Sequence, residues 1–282
     1  PTPYPDEWIG SVVSRASVHT GLTIAEVMIH FARLRSENAS FFLPKTIAVL
    51  AEQFSSPPEH VLKNHTVFPF ATAFMPEATM LAYQNALLST AAVRSTAALV
   101  QSMALNANRY VFCPECMTVD VEQYGESYWH RAHFLPGIAQ CSVHGNALYA
   151  LPSARRAGLP LRPGPFLSDL KSAIPVASIT HSSSFTKVFT ALSLATLSEN
   201  WLYHEDWSEA FRDKALTLGY VMKDGTVAGS QLALNFLLVV PPKILATFGC
   251  AYPRKVTARW PAMMVRPHVG GKPIDGPLRH LL

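Results

Sequence analysis

The stretch Cys113-Pro114-Glu115-Cys116, followed after 24 intervening residues by Cys141-Ser142-Val143-His144, decides how the middle of this chain folds. Two short ligand pairs separated by a loop are typical of a tetrahedral zinc site, because zinc binds thiolate sulfur and imidazole nitrogen. Three cysteines and one histidine fill all four positions, so the pattern predicts one structural zinc ion with no open position for a substrate. A disulfide would leave His144 unexplained, and unrelated thiols beside a surface histidine are the remaining alternative.

Length and composition indicate a folded protein of about two domains. The chain has 282 residues, of which 49% are hydrophobic and 15% charged. No apolar run reaches the roughly 20 residues of a membrane-spanning helix, and the chain does not open with an export signal. Three of the four cysteines lie in the metal motif, which favours a reducing, cytoplasmic compartment and leaves Cys250 as a small core residue.

Positive charge concentrates at the C-terminal end. Residues 251–282 hold six Lys and Arg side chains against Asp275 alone, whereas the remaining residues are nearly neutral. A basic end favours contact with the phosphate groups of DNA, and a solvated tail is the plain alternative. The candidate DNA-binding residues are Arg254, Lys255, Arg259, Arg266, Lys272 and Arg279, with Lys223 on a predicted turn as a lesser candidate.

Helical periodicity follows a proline-rich arm at the start of the chain. Asp6 is expected to cap a first helix that ends at Gly21. Thr23 and Glu26 have the spacing of a capping box, which predicts the start of a second helix.

Two further helical stretches complete the first half of the chain. Residues 44–64 indicate helix, short turn and helix, a pattern compatible with a helix-turn-helix, although such pairs mostly build cores. Residues 76–105 predict one long helix that carries very few charges.

The residues between the two ligand pairs are rich in aromatic side chains. We expect a turn at Gly125, then a short helix whose aromatic residues pack over the metal. His130 and His133 lie three residues apart and are rival ligands. With one Cys and an open water position they would make a zinc hydrolase, but Cys141 and His144 already close the site.

The composition shifts at residue 151, where prolines, glycines and arginines predict a domain boundary. We predict a mainly α fold: a helix-turn-helix-like N-terminal domain over residues 1–150 with an embedded Cys3His zinc module at about 110–146, a proline-rich linker over 151–181, and a second small helical domain over 182–282. The chain lacks an initiating Met and ends in what resembles the first turn of a helix, so we expect it to be part of a longer protein.

Motifs for catalysis are missing from the sequence. It has no glycine-rich phosphate loop, no His-Glu-x-x-His motif and no Gly-x-Ser-x-Gly elbow. Its carboxylates are scattered, unlike the clustered acids of a metal-dependent nuclease. We therefore expect a protein that is not an enzyme.

The chain resembles the TniQ/TnsD family of transposon target-selection proteins, and is more similar to the TnsD branch. The resemblance rests on Pro3 to Arg15, on His65 to Pro69, on Tyr110 to Cys116, on Tyr124 to Arg131, and on Cys141 to Gly145, in that order and spacing. Some relatives carry a second cysteine-rich knuckle, which this chain lacks, so we expect one zinc ion and not two.

The resemblance implies a bridging role. Such proteins recognise target DNA or an RNA-guided complex, and then recruit the transposon's AAA+ ATPase regulator without doing chemistry on DNA. Basic charge at the C-terminal end favours DNA as the target. A zinc-stabilised DNA-binding regulator unrelated to transposition is the competing interpretation; neither role needs a membrane or a small-molecule substrate.

The arm and first helix offer candidate partner-binding residues. Tyr4 and Trp8 are aromatic, and aromatic side chains dominate interface hot spots, so we expect them to meet the ATPase. The alternative places Trp8 in the ordinary core.

Overall fold

The computed structural model describes residues 1–30, 47–89, 109–152, 162–176, 183–198 and 207–240. Within them the protein is mainly helical, with one small antiparallel sheet, which confirms the predicted fold class. The predicted domain boundaries remain predictions, since the linker region at residue 151 and the basic end lie partly or wholly outside these ranges. No described helix is both long and apolar enough to cross a membrane.

The first two helices are α1 (Ile9–Thr20) and α2 (Ile24–His30). Gly21 ends α1 in the left-handed region, at φ 71°, as predicted. The capping box is also confirmed, because the Thr23 amide donates to the Glu26 carboxylate at 2.8 Å while the Glu26 amide donates back to the Thr23 hydroxyl at 3.3 Å. The predicted Asp6 cap is wrong, since Trp8 occupies the N-cap position of α1.

The next helices form the expected pair. Helix α3 (Ile47–Gln53) packs on α4 (Pro58–His65), and the turn between them places Ser55 at a φ of 52°. The short segment after α4, which contains Phe68 and Phe70, forms helix α5 (Phe68–Thr72), and every residue of this helix is buried. The pair therefore contributes to the core, and nothing in its geometry distinguishes it as a DNA reader.

Helix α6 (Glu77–Leu88) is shorter than predicted. The long helix expected over residues 76–105 ends at Leu88, because Ser89 takes an extended conformation with ψ at 151°. The remainder of the predicted helix lies outside the described residues.

The metal motif is embedded in a three-stranded sheet that the sequence did not predict. Strand β1 (Arg109–Phe112) leads into helix α7 (Pro114–Tyr124), and β2 (Tyr149–Pro152) pairs with β1, with Phe112 opposite Tyr149. Strand β3 (Ile174–Pro175) adds to the other edge of β2.

The segment between the ligand pairs differs from the prediction in one respect. The turn at Gly125 is confirmed, with φ at 81°, but the helix lies before this turn as α7. Only one 3-10 turn, Arg131–Phe134, follows. The backbone between Gly125 and the 3-10 turn is extended because it pairs with the N-terminal arm, where Glu7 and His130 form an isolated β-bridge.

In the described residues after the sheet there are three helices: α8 (Ser183–Ala195), α9 (Trp207–Thr217) and α10 (Gly229–Val239). Gly219 lies in the turn after α9, at a φ of 78° that glycine adopts without strain. Phe189 and Val240 are buried in the same hydrophobic cluster as the N-terminal core. Ala215 and Val221 are the buried members of a separate small cluster.

A buried polar network fixes the N-terminal arm to the middle of the chain. The Glu7 carboxylate accepts four hydrogen bonds: from the amide of Tyr4, from Nε and Nη2 of Arg15, and from the hydroxyl of Ser11, whose single proton is shared with the Pro163 carbonyl. Glu7 is fully buried and Arg15 is 2% exposed. Burial raises the pKa of Glu7, and the Arg15 guanidinium opposes that rise. The four donors favour the ionised carboxylate at neutral pH.

The same arm also binds the segment after α7. The Trp8 amide donates to the Trp129 carbonyl at 2.8 Å, and the Arg131 amide donates to the Asp6 carbonyl at the same distance. The Asp6 carboxylate accepts from Nε of Arg131 at 2.9 Å and from the amide of Ala132 at 3.0 Å. Asp6 thus tethers this segment instead of capping α1.

His65 joins α4 to this network. Its Nδ1 lies 2.8 Å from the carbonyl oxygen of Glu7, and because a carbonyl only accepts, Nδ1 carries the proton. Burial lowers the pKa of His65 from 6.5 to about 4, and the nearby Arg131 guanidinium adds to this effect, while the Glu7 carbonyl opposes it.

The shift makes the stability of the fold depend on pH. Since the unfolded chain takes up a proton at His65 at about pH 6.5 and the folded protein only at about pH 4, stability is complete above 6.5 and falls as the pH drops through this window. The full loss amounts to about 3 kcal/mol. We expect His65→Asn, which keeps a donor near the Glu7 carbonyl but does not titrate, to reduce the loss of unfolding free energy between pH 7 and pH 4.5 by about 2 kcal/mol in urea unfolding.

His30→Asn is the control, because the His30 side chain is exposed. It should leave the acid dependence as it is in the parent. Protonation of the metal ligands affects all variants alike and cancels in the comparison. An acid slope that is unchanged in His65→Asn would contradict the assignment.

Candidate metal centre

The start of helix α7 and a tight turn at Cys141 bring the two ligand pairs together. Cys113 is the N-cap residue of α7 and Pro114 its first residue, so Cys116 returns to the same side within the first helical turn. Cys141 begins a tight turn in which the Gly145 amide donates to the Cys141 carbonyl at 2.9 Å. Gly145 has a φ of 71°, a conformation that glycine adopts without strain. This turn projects His144 back towards the thiols.

The four donor atoms have the separations of a tetrahedral site. The His144 Nδ1 lies 3.7 Å from Sγ of Cys113, 3.3 Å from Sγ of Cys116 and 3.7 Å from Sγ of Cys141. The Cys116 and Cys141 sulfurs are 3.5 Å apart, and all four donors lie within 4.8 Å of one another. Zn–S bonds of about 2.3 Å in a tetrahedron require S···S edges of about 3.8 Å, whereas a disulfide requires about 2.05 Å. The cluster can hold a metal ion, and the disulfide alternative does not fit.

The electrostatics of the thiols also indicate a cation. Hydrogen bonding with Cys113 and Cys141, together with burial, raises the pKa of Cys116. Hydrogen bonds from Cys113 and Cys116 lower the pKa of Cys141, which concentrates negative charge on one sulfur. Three thiolates so close together repel one another in a buried site, and a divalent cation at their centre would remove this repulsion.

The rival ligands His130 and His133 lie elsewhere. His130 Nε2 is 2.9 Å from the Asp120 carboxylate, and its ring stacks on Tyr128 at a centroid distance of 4.3 Å. His133 is buried, and the Cys141 thiol is close enough to oppose the lowering of the His133 pKa that burial causes. A histidine in that position supports a ligand from outside the coordination sphere instead of replacing it. Trp129 and Phe134 belong to the same hydrophobic cluster as Cys113, Cys116 and Cys141.

The two predicted partner-binding residues differ in how far they are buried. Trp8 is 1% exposed and its ring centroid lies 5.0 Å from that of Phe134, as the core alternative expects, and a role for Trp8 in partner binding stays a prediction. Tyr4 is half-buried: its ring stacks on Tyr124 at 4.3 Å, and the Arg15 guanidinium lies 3.7 Å from the ring centroid.

Of the predicted DNA-binding residues, only Lys223 falls in the described part of the chain. It is exposed on the predicted turn, where the Gly225 amide donates to the Met222 carbonyl at 2.8 Å. The other six, Arg254, Lys255, Arg259, Arg266, Lys272 and Arg279, lie outside the described residues.

Sequence reasoning missed the buried network around Glu7. One signal was available, because Glu7, Ser11 and Arg15 are spaced four residues apart and so share one face of a helix and its entry. Opposite charges on an otherwise apolar face indicate a buried pair. The partners from residues 126–132 carry no such signal in the sequence.

The geometry indicates that the four ligands, and not the neighbouring histidines, would hold a metal ion. We expect His144→Ala to reduce bound metal per chain by at least about tenfold at low free metal, because a closed tetrahedral site loses one of its four bonds. His133→Ala should retain about one metal per chain, with affinity weakened by no more than about tenfold to a hundredfold. Elemental analysis of each variant, after gel filtration in a buffer that contains a weak chelator, measures the bound metal per chain.

His130→Ala is the matched control, since it removes the other histidine of the same segment, and it should keep the metal. Retention of metal by His144→Ala together with its loss from His133→Ala would show that a different ligand set binds the ion.

Comparison with known proteins agrees with these features. The family model TniQ matches residues 1–148, which include the arm, the helical pair and the whole metal motif. The chain is also similar to the Escherichia coli protein "Transposon Tn7 transposition protein TnsD", with 26% identity over 160 residues. That match covers 53% of this chain and 31% of the relative, so the chain spans about a third of the relative's length. With the family model covering more than half of its residues, the chain belongs to the TniQ family.

Proposed function

We propose that this protein selects target sites for transposition: it recognises target DNA and recruits the transposon's AAA+ ATPase regulator, and does no chemistry on DNA itself. The observation that carries the proposal is the convergence of the family segments. The stretches around Glu7, His65 and Trp129 are far apart in sequence, yet they share one buried hydrogen-bond network beside the metal centre. The family match over residues 1–148 therefore covers segments that fold together as one structural unit.

The metal in this proposal is one structural zinc ion. Three thiolates and one imidazole nitrogen at tetrahedral spacing are the donor set that zinc favours. When bound, zinc would join β1 and α7 to the Cys141–His144 turn. The same closed donor set argues against the zinc hydrolase, because hydrolysis needs an open position for water.

Phosphate contacts are assigned to the basic residues. Lys223 is exposed on its turn, as phosphate contact requires. The six C-terminal Lys and Arg residues named above complete the proposed footprint, which would position the protein on the duplex without reading sequence. A fixed DNA site is favoured over an RNA-guided complex because of this charge.

The ATPase-facing surface is placed at the N-terminal arm and the adjacent face of α7. Tyr4 remains partly accessible there and stacks on Tyr124 at the end of α7. Trp8→Ala would not test this contact, because removing a buried Trp costs about 3–5 kcal/mol of folding stability.

Binding to target DNA should depend steeply on salt. Replacing Lys223 and the six C-terminal cations by Gln, one at a time, should weaken binding on all sequences. Each phosphate that the variant no longer binds should reduce the slope of log K against log salt by about one. A mobility-shift assay over a salt series measures the slope. Lys63→Gln, on α4 in the N-terminal region, is the charge-matched control, and a slope insensitive to every C-terminal change would contradict the footprint.

Immobilised protein should capture the AAA+ ATPase encoded by the same transposon, and target DNA should increase this capture. The reason is that the proposed role requires one protein to hold both partners. A pull-down with and without target DNA gives the answer. DNA binding without ATPase capture under any condition would instead favour the DNA-binding regulator unrelated to transposition.

A further inference from the structure

An apolar groove lies between helix α7 and the loop of residues 162–167. It has a volume of about 620 Å³, and the C-terminal end of α1 closes one side. Met117 and Val121 of α7 line one wall, and Phe166 and Leu167 of the loop line the other. The metal ligands lie outside the groove, so it is a separate feature of the surface.

The groove exposes large apolar side chains to water. Val121 is 48% exposed, Phe166 51%, and Leu167 72%, with Val18 of α1 at 61% on the third side. Single exposed apolar residues are normal, but four that converge on one concavity are typical of a binding site.

Hydrogen bonds hold the loop wall of the groove in place before any ligand binds. The Trp129 indole donates to the Arg162 carbonyl at 3.0 Å, and the Ser127 hydroxyl donates to the Pro165 carbonyl. The Ser11 hydroxyl shares its single proton between the Pro163 carbonyl and the Glu7 carboxylate. These hydrogen bonds connect the loop to the buried network around Glu7. A preformed site binds with a smaller loss of conformational entropy.

Gly164 allows the close approach on which this wall depends. A Cβ at this position would lie 2.3 Å from the carbonyl oxygen of Ser127 and 2.4 Å from its carbonyl carbon. Only glycine fits between the loop and the backbone of the Ser127 segment without a shift of the main chain.

The charges at the rim are predominantly acidic. Arg162 is neutralised by Asp169 at 2.6 Å. Glu126 pairs with Arg15 at 3.3 Å, whereas Glu122 is exposed and forms no ion pair within the described residues. A duplex would be repelled by this rim, whereas a segment with Lys or Arg beside its apolar side chains would be complementary.

The geometry points to this groove as the docking site for one segment of the AAA+ ATPase, a segment that combines two or more large apolar side chains with a basic residue. This inference rests on the proposed function for the identity of the partner. It moves the predicted contact from the buried Trp8 to the exposed face next to Tyr4. The apolar side chains would fill the groove, and the basic residue would pair with Glu122.

Overlapping peptides that tile the whole ATPase sequence test the groove directly. We expect at least one peptide with apolar and basic residues to bind the full chain, and Val121→Asp to weaken that binding by at least about tenfold, because a carboxylate would enter an apolar contact. Glu122→Lys should weaken it by about threefold or more at low salt, with a smaller effect at high salt. Fluorescence anisotropy measures each affinity.

Val119→Asp is the matched control. Val119 lies on the same helix and is 41% exposed, but it does not line the groove. This variant should bind the peptide as the parent does, and metal content confirms that all three variants are folded.

The peptide array and the capture of intact ATPase fail independently. If no peptide binds, or if Val121→Asp binds as well as Val119→Asp, the groove is not the docking site, whether or not intact ATPase is captured. If peptides bind with the expected pattern but intact ATPase is not captured, the groove stands and the proposed recruitment is at fault. Weaker self-association of Val121→Asp, with no peptide effect, would overturn the proposal and assign the groove to a second copy of the chain.

Discussion

The buried ion pair between Glu7 and Arg15 is the interaction on which the rest of the described structure depends. Taking both charges out of water is costly, and the cost is offset only when every donor and acceptor is satisfied. Here the carboxylate accepts four hydrogen bonds, and the Arg15 Nη2 also donates to the Thr2 carbonyl at 2.7 Å. Removing one member of such a pair leaves an uncompensated charge and costs about 3–5 kcal/mol. The pair therefore fixes a unique path for the arm.

That path positions the metal centre and the apolar groove together. The arm pairs with the extended segment at Trp129 and Arg131, and this segment connects α7 to the second ligand turn. The hydroxyl of Ser11 reaches both Glu7 and the carbonyl of Pro163, so one side chain joins the ion pair to the groove wall. A metal ion would stabilise the module locally, whereas the ion pair sets its orientation on the helical core.

Local signals in the sequence were sufficient for the ligand set, for the first helices and for some of the helix ends. The spacing within each ligand pair, the capping box at Thr23 and Glu26 and the glycine stop at Gly21 all act over fewer than five residues, so they are readable without the fold. The three-stranded sheet was not predictable in this way, because β1 and β2 are four residues each and pair across the whole metal module. The burial of Trp8 also depends on residues that are distant in the sequence, Phe134 and Trp129.

The sequence by itself determined the metal-binding chemistry, the mainly helical class and the family resemblance, because each follows from residue types at short, fixed spacing. Only the tertiary structure decided that Asp6 tethers a distant segment, that His130 and His133 stay outside the ligand set, and that the exposed apolar surface is a groove beside α7. These features depend on contacts between residues more than 50 positions apart, or on side-chain direction, which no local pattern encodes.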